Sequence, residues 1–208
     1  SVIDHPKGSP RTLLVQGPPN PFLCDHPRTD YEFRVESRGG GVHLESHDFD
    51  LTLGVGEWSD WQTLDFDFLG PFSAEGQVRF YLKSVRPEFE LYCSPVNVSP
   101  GNPVFPISYP DDYSSDLAEE IGSYHTLGLT ADTGMLKEDR VEDVTFLEQT
   151  HSVLDERVAM FKKELSQFDD GIFNCVFDIP DRIQHMFWRF EDSNHAAFSA
   201  EDNEQYGD

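Results

Sequence analysis

From residue 31 onward, hydrophobic and polar positions alternate with period two. Tyr31, Phe33 and Val35 point one way and the polar residues between them the other. The same holds for Val42 and Leu44, then for Phe49, Leu51 and Leu53. The parity changes between Leu44 and Phe49, which predicts a bulge or turn there. Leu64, Phe66 and Phe68 alternate with Asp65 and Asp67. Val78, Phe80 and Leu82 form another set, and Phe89, Leu91 and Cys93 a last one. Residues 39–41, Gly54, Gly70 and Pro71 punctuate these runs. Short strands at this spacing predict an antiparallel β-sandwich. Before them, residues 1–30 are rich in Pro and Gly and read as irregular leading chain. After them, residues 95–110 hold five prolines and predict a boundary. The expected division is therefore a β-rich domain over 1–104 and a second domain over 105–208.

After Pro110 the period becomes helical. Ser114 or Ser115 is placed to cap a short helix that runs through Ile121 and stops at Gly122. Val141, Val144, Leu147, His151, Leu154, Val158, Phe161 and Leu165 then recur at three and four residues, which predicts a helix over ~138–167. On this stripe His151 reads as a core histidine. Residues 172–177 (IFNCVF) are apolar without strict alternation, as in a strand buried on both faces. A second helix follows over 182–190, and Ser199 is placed to cap another. Helix, strand, helix is an α/β unit. One buried-type strand cannot form a sheet alone, so this unit reads as part of a larger domain. The whole is expected to be α+β, a sandwich-like insertion followed by part of an α/β domain.

Charge narrows the partners. The 208 residues carry 39 acidic and 15 basic side chains, a net of −24. Residues 1–104 contribute −7 (15 acids, 8 bases) and residues 105–208 contribute −17 (24 acids, 7 bases). Nucleic acid and anionic membrane surfaces are poor partners for such a chain. No run of ~18 apolar residues predicts a membrane span, and no apolar leader opens the sequence. The compartment stays open, cytoplasmic or exported. Cys24, Cys93 and Cys175 are far apart, which excludes a Cys-rich zinc site and favours free, buried thiols.

The best chemical candidates lie in residues 178–188, where the expected strand ends and a helix begins. In open α/β sheets ligands bind at that end. Asp181 and His185 are four apart and share a helix face. A carboxylate oxygen and an imidazole nitrogen so placed suit one divalent ion: zinc, manganese or iron. Two ligands do not close a site, and an Asp at a helix start is equally a dipole partner. Arg182, Trp188 and Arg189 are candidate substrate contacts, and both arginines are equally candidates for surface ion pairs. His43 and His47 lie in strand sequence, too far apart to share a metal. Trp58 and Trp61 near a loop are candidates for stacking on a glycan, against the alternative of edge packing. Asp111, Asp112, Asp169 and Asp170 read as solvated turn residues. No GxSxG, P-loop or GxGxxG pattern is present.

The segment FDIPDRIQHMFWRFED resembles the alkaline phosphatase superfamily, in its type I phosphodiesterase/nucleotide pyrophosphatase-like branch of predicted phosphohydrolases and phosphomutases. The residues that carry the resemblance are Asp181, Arg182, Gln184, His185, Phe187 and Trp188. VFPISYPDDYSSDLAEEIGSYHTLGL and LDERVAMF are similar to the same branch. GEWSDWQTLDFDF, GQVRFYLKS and FELYCSPVNV resemble its β-rich insertion. The resemblance covers most of residues ~55–208 and is closest over 105–208.

The resemblance implies a two-metal phosphoric-ester hydrolase in which Asp181 and His185 ligate one divalent ion, usually zinc, and a phosphate-ester small molecule is the substrate. In that family a Thr or Ser near the first core strand attacks phosphorus, and an S-D-H-G type motif helps to bind the second metal. Neither is present here. The resemblance thus implies an internal fragment, dependent on the rest of a parent polypeptide and inactive alone. The alternative expectation is a non-catalytic sandwich that binds glycan or protein, with Trp58 and Trp61 as its contacts.

Overall fold

In the computed structural model, residues 10–128, 130–138 and 140–207 are described. The first part of the expected irregular leading chain, residues 1–9, lies outside them. The chain is α+β: antiparallel sheets come first and helices follow. It divides into two compact units, Ser1–Gly128 and Leu129–Asp208.

In the first unit, β1 (Arg11–Pro19), β2 (Arg28–Arg38), β3 (Gly41–Glu45) and β4 (Asp50–Leu53) form an antiparallel four-stranded sheet in sequence order. β5 (Gln62–Leu69), β6 (Phe72–Val78) and β9 (Asn97–Val98) form a second sheet, and β7 (Phe80–Ser84) pairs with β8 (Glu90–Cys93). Each alternating run buries its apolar parity, because a strand presents successive side chains to opposite faces. Phe33, Phe49 and Phe80 meet at centroid distances of 5.3–5.9 Å at the centre of this core. Leu44, Leu64, Leu82 and Leu91 are almost wholly buried around them. The parity change after Leu44 is a tight turn in which Ser46 N donates to Phe49 O at 2.8 Å.

Three expectations for this half change. Residues 11–19 form a strand, although Gly17, Pro18 and Pro19 made the region read as irregular. Leu13 and Val15 bury themselves, and β1 lies at the sheet edge, where Pro costs no ladder bond. The run through Val78, Phe80 and Leu82 is two strands, split at Arg79 between β6 and β7. The first unit also reaches Gly128 instead of ending near residue 104. Buried amides hold the additional chain. Gln77 Nε2 donates to Tyr124 O at 2.7 Å, and Asn97 Oδ1 accepts from the Thr126 and Leu127 amides at 2.9 and 3.2 Å. Helix α1 (Tyr113–Ile121) therefore belongs to this unit, and Gly122 ends it at φ +85°.

The second unit holds α2 (Thr133–Lys137), α3 (Asp143–Gln167), α4 (Ile179–Glu191) and α5 (Ala200–Tyr206). Asp132 caps α2 by accepting from the Gly134 and Met135 amides. Ser199 caps α5 by accepting from Asp202 N at 3.3 Å. Phe146 of α3, Phe187 and Phe190 of α4, and Tyr206 of α5 pack ring against ring.

Two expectations fail here. His151 is exposed, while Thr145, Phe146, Gln149, Thr150 and Val153 form the buried face of α3. The polar members are satisfied: Gln149 Oε1 accepts from Asp132 N at 3.0 Å, and Thr150 Oγ1 donates to Leu147 O at 2.9 Å. Their burial is therefore cheap, and the helix turns away from the stripe that hydrophobicity alone picks out. Residues 172–177 form no strand and are not deeply buried. Ile172 is 96% exposed and Val176 71%. No strand among the described residues follows Val98, so nothing offers this segment a ladder. The α/β arrangement expected for this half is not formed.

Candidate functional site

α4 is built to present one polar face. Ile179, Phe187 and Phe190 are buried, and Asn203 Nδ2 ties α5 to α4 by donating to Phe190 O at 2.7 Å. The opposite face carries Asp181, Gln184, His185 and Trp188, all exposed. Pro180 suits the first turn, where the missing N–H would have no helical partner. Asp181 in that turn complements the positive end of the helix. Thr130 Oγ1 donates to Asp178 Oδ2 at 3.4 Å, just before the helix starts.

The four-residue spacing brings the expected pair together. Asp181 Oδ1 and His185 Nε2 lie 3.4 Å apart, with side chains 62% and 71% exposed. An oxygen and a nitrogen donor so close, both open to solvent, fit the hard-to-borderline ligand set of zinc or a similar divalent ion. Among the described residues, no group of three or more His, Cys, Asp or Glu side chains gathers to hold an ion. Two donors alone do not close a metal site. As an exposed ion pair, their contact contributes little to stability.

The neighbouring candidates separate. Arg189 pairs with Asp143 at 2.5 Å and lies 4.6 Å from the Phe190 ring centroid, so its guanidinium serves the α3–α4 packing. Arg182 is half-buried, and its Nε has no hydrogen-bond partner. Trp188 is 60% exposed beside His185. Asp143 is the partner that sequence reasoning missed. Its spacing from Arg189 carries no local signal, since the ion pair joins two helices.

In the first unit, both tryptophan rings are engaged in packing. Trp58 lies 5.0 Å from Tyr81 and 5.7 Å from Tyr92, with Arg79 over its ring at 5.4 Å. Trp61 meets the buried His125 edge-on at 4.6 Å. His43 Nε2 lies 2.9 Å from Asp50 Oδ1 across the sheet. His47 stacks on Tyr31 at 5.4 Å and lies 3.3 Å from Asp48. The three cysteines are free thiols; Cys93 is buried, Cys175 is half-buried and Cys24 is exposed, against the expectation of burial for all three.

Tyr31 joins a polar cluster in the first unit. Its hydroxyl donates within reach of Ser46 Oγ at 2.7 Å and Asp48 Oδ2 at 2.9 Å, and Asp48 Oδ2 also accepts from Asp65 N at 3.1 Å. Burial, then the Asp48 carboxylate, push the Tyr31 hydroxyl up to about 12. Burial and the surrounding Asp48, Glu75 and Asp67 carboxylates raise Asp65. Each bond in this group fixes the 46–49 turn against β2 and β5, so its role is to hold the fold.

No helix is long and apolar enough to cross a membrane among the described residues. Comparison with protein-family models, with curated proteins and with solved structures finds no match for this chain.

Proposed function

We propose that this chain contributes Asp181 and His185 to a divalent-metal site in a metal-dependent phosphoric-ester hydrolase. The observation that carries the reading is their 3.4 Å approach on the solvent face of α4. The DRxQH spacing and the resemblance of residues 105–208 to the type I phosphodiesterase branch support it. The donor set favours zinc, with manganese or iron acceptable. When bound, such an ion neutralises charge on a transferring phosphoryl group and activates the attacking oxygen.

This chain's own residues have a limited share of that work. Asp181 supplies an anionic oxygen and His185 a neutral imidazole nitrogen. The buried face of α4 fixes both on a rigid element, which a precise ligand pair requires. Arg182 and Trp188 flank the pair and are placed to meet a phosphate ester. The second metal, the remaining ligands and the nucleophile belong to further polypeptide.

The test is hydrolysis of an aryl phosphodiester with zinc or manganese. A polypeptide carrying these residues together with the remaining ligands should turn over, and Asp181→Ala or His185→Ala should lower kcat/KM by roughly a hundredfold or more, as loss of a metal ligand does. This chain alone should show no metal-stimulated turnover. Turnover by the chain alone that Asp181→Ala abolishes would show that the nucleophile lies within it. Unchanged turnover in both variants of the larger polypeptide would remove the metal assignment.

A further inference from the structure

The solvent face of the β1–β4 sheet carries a pocket of about 230 Å³, lined by Pro10, Arg34, Glu36, Arg38, His43 and Glu45. All six residues belong to the first unit. Strand geometry explains why charge gathers there. Phe33 and Val35 of β2 and Val42 and Leu44 of β3 turn into the core. Their neighbours Arg34, Glu36, His43 and Glu45 therefore turn outwards.

Most of these charges are already matched. Arg38 Nη2 donates to Glu36 Oε2 at 2.9 Å. His43, with a side chain only 12% exposed, lies 2.9 Å from Asp50 Oδ1. Arg34 and Glu45 are different. They stand directly opposite each other on β2 and β3, a position in which opposite charges normally meet. Yet, among the described residues, neither makes a hydrogen bond or an ion pair. The pocket thus offers one uncommitted cation and one uncommitted anion, side by side.

That combination selects a ligand. A simple anion would face Glu45 and a simple cation would face Arg34, so repulsion discriminates against both. A molecule that carries both signs satisfies both groups. A carboxylate accepts two parallel N–H bonds from a guanidinium, and an ammonium donates to a carboxylate. Opposed side chains across an antiparallel pair leave the backbone ~4.5–5.5 Å apart at Cβ. Ligand charges borne one carbon apart suit that short span. The volume matches the liquid share of roughly eight water molecules, at ~30 Å³ each, which is the size of a small metabolite and not of a chain.

We propose that this pocket binds a free α-amino acid, its carboxylate on Arg34 and its ammonium on Glu45. The proposal goes beyond the hydrolase reading and rests on none of the residues of α4.

The test is an NMR titration of the full chain with L-glutamine, which is net neutral and of suitable size. The amide signals of Arg34, Glu36, His43 and Glu45 should shift. Two analogues each keep one charge: L-glutaminamide keeps the ammonium and N-acetyl-L-glutamine the carboxylate. Each should bind roughly tenfold more weakly than glutamine, or worse, as loss of a charge-assisted contact predicts. Arg34→Gln and Glu45→Gln should each weaken glutamine by a similar factor. Both side chains are exposed, so the melting temperature should hold. Arg34→Gln should not weaken glutaminamide further, and Glu45→Gln should not weaken N-acetylglutamine further, because the lost partner is already missing from the ligand. A merely structural role would weaken all three ligands alike. No shift at these strands, equal binding of the three ligands, or full glutamine binding in either variant would each overturn the proposal.

Discussion

At the scale of single residues, two positions show how closely the β core is fitted. Gly17 stands where a Cβ would lie 2.2 Å from the Phe66 ring and 2.6 Å from Thr29 O. The ring occupies the space a side chain would need. Gly17→Ala should therefore destabilise the chain by about 1–3 kcal/mol, the usual cost of overpacking, in a denaturant titration. Tyr31 gives a pH signature. Its native hydroxyl holds its proton up to about 12, above the value near 10 of an unfolded tyrosine. The native state thus binds the proton more tightly, so this contribution to stability is fully present below pH ~10 and falls as pH rises towards 12. Cys93, also pushed to about 12 by burial, adds a loss in the same direction that begins nearer pH 9. Melting temperature should fall across this alkaline range, and Tyr31→Phe should flatten the part above pH 10. An unchanged alkaline slope in Tyr31→Phe would mean the tyrosine is not the source.

At the scale of elements, the sequence was legible wherever one local rule decided the outcome. Strict alternation located β2 to β5, β7 and β8, since a one-residue slip would expose a whole apolar face. Gly122 and Ser199 marked α1 and α5 by their own backbone and capping chemistry. Elements decided by tertiary partners were not legible. β1 depends on β2 for its register, and β9 on β6. The face of α3 depends on Gln149 and Thr150 finding hydrogen bonds, which hydrophobicity does not encode. α2 was missed because five residues hold too few apolar positions for a period. Its cap gives a direct check. Asp132 satisfies two helix amides while its own amide bonds Gln149. Asp132→Ala should cost about 1 kcal/mol, and Asp132→Asn much less, measured by urea midpoint at constant m. Equal losses in both variants would mean the carboxylate, and not the capping oxygen, is what α2 needs.

At the scale of the whole molecule, the two units carry different kinds of information. The first holds a β core in which Tyr31, Gln77 and Asn97 fix turns and loops. The second keeps its polar α4 face and an apolar, unpaired segment open to solvent. Spacing alone placed Asp181 and His185 together, because four residues on a helix is a geometric fact once the helix exists. It did not reveal that Arg189 is committed to Asp143, since that depends on how α3 and α4 pack. The proposed role of Asp181 and His185 as metal ligands can be tested by zinc titration calorimetry on the full chain. Zinc should bind at a weak site, and Asp181→Ala and His185→Ala should each abolish that binding, while His43→Ala, which breaks the His43–Asp50 contact, should not. Zinc uptake unchanged in both α4 variants, or lost only in His43→Ala, would contradict the assignment of these two residues as metal ligands.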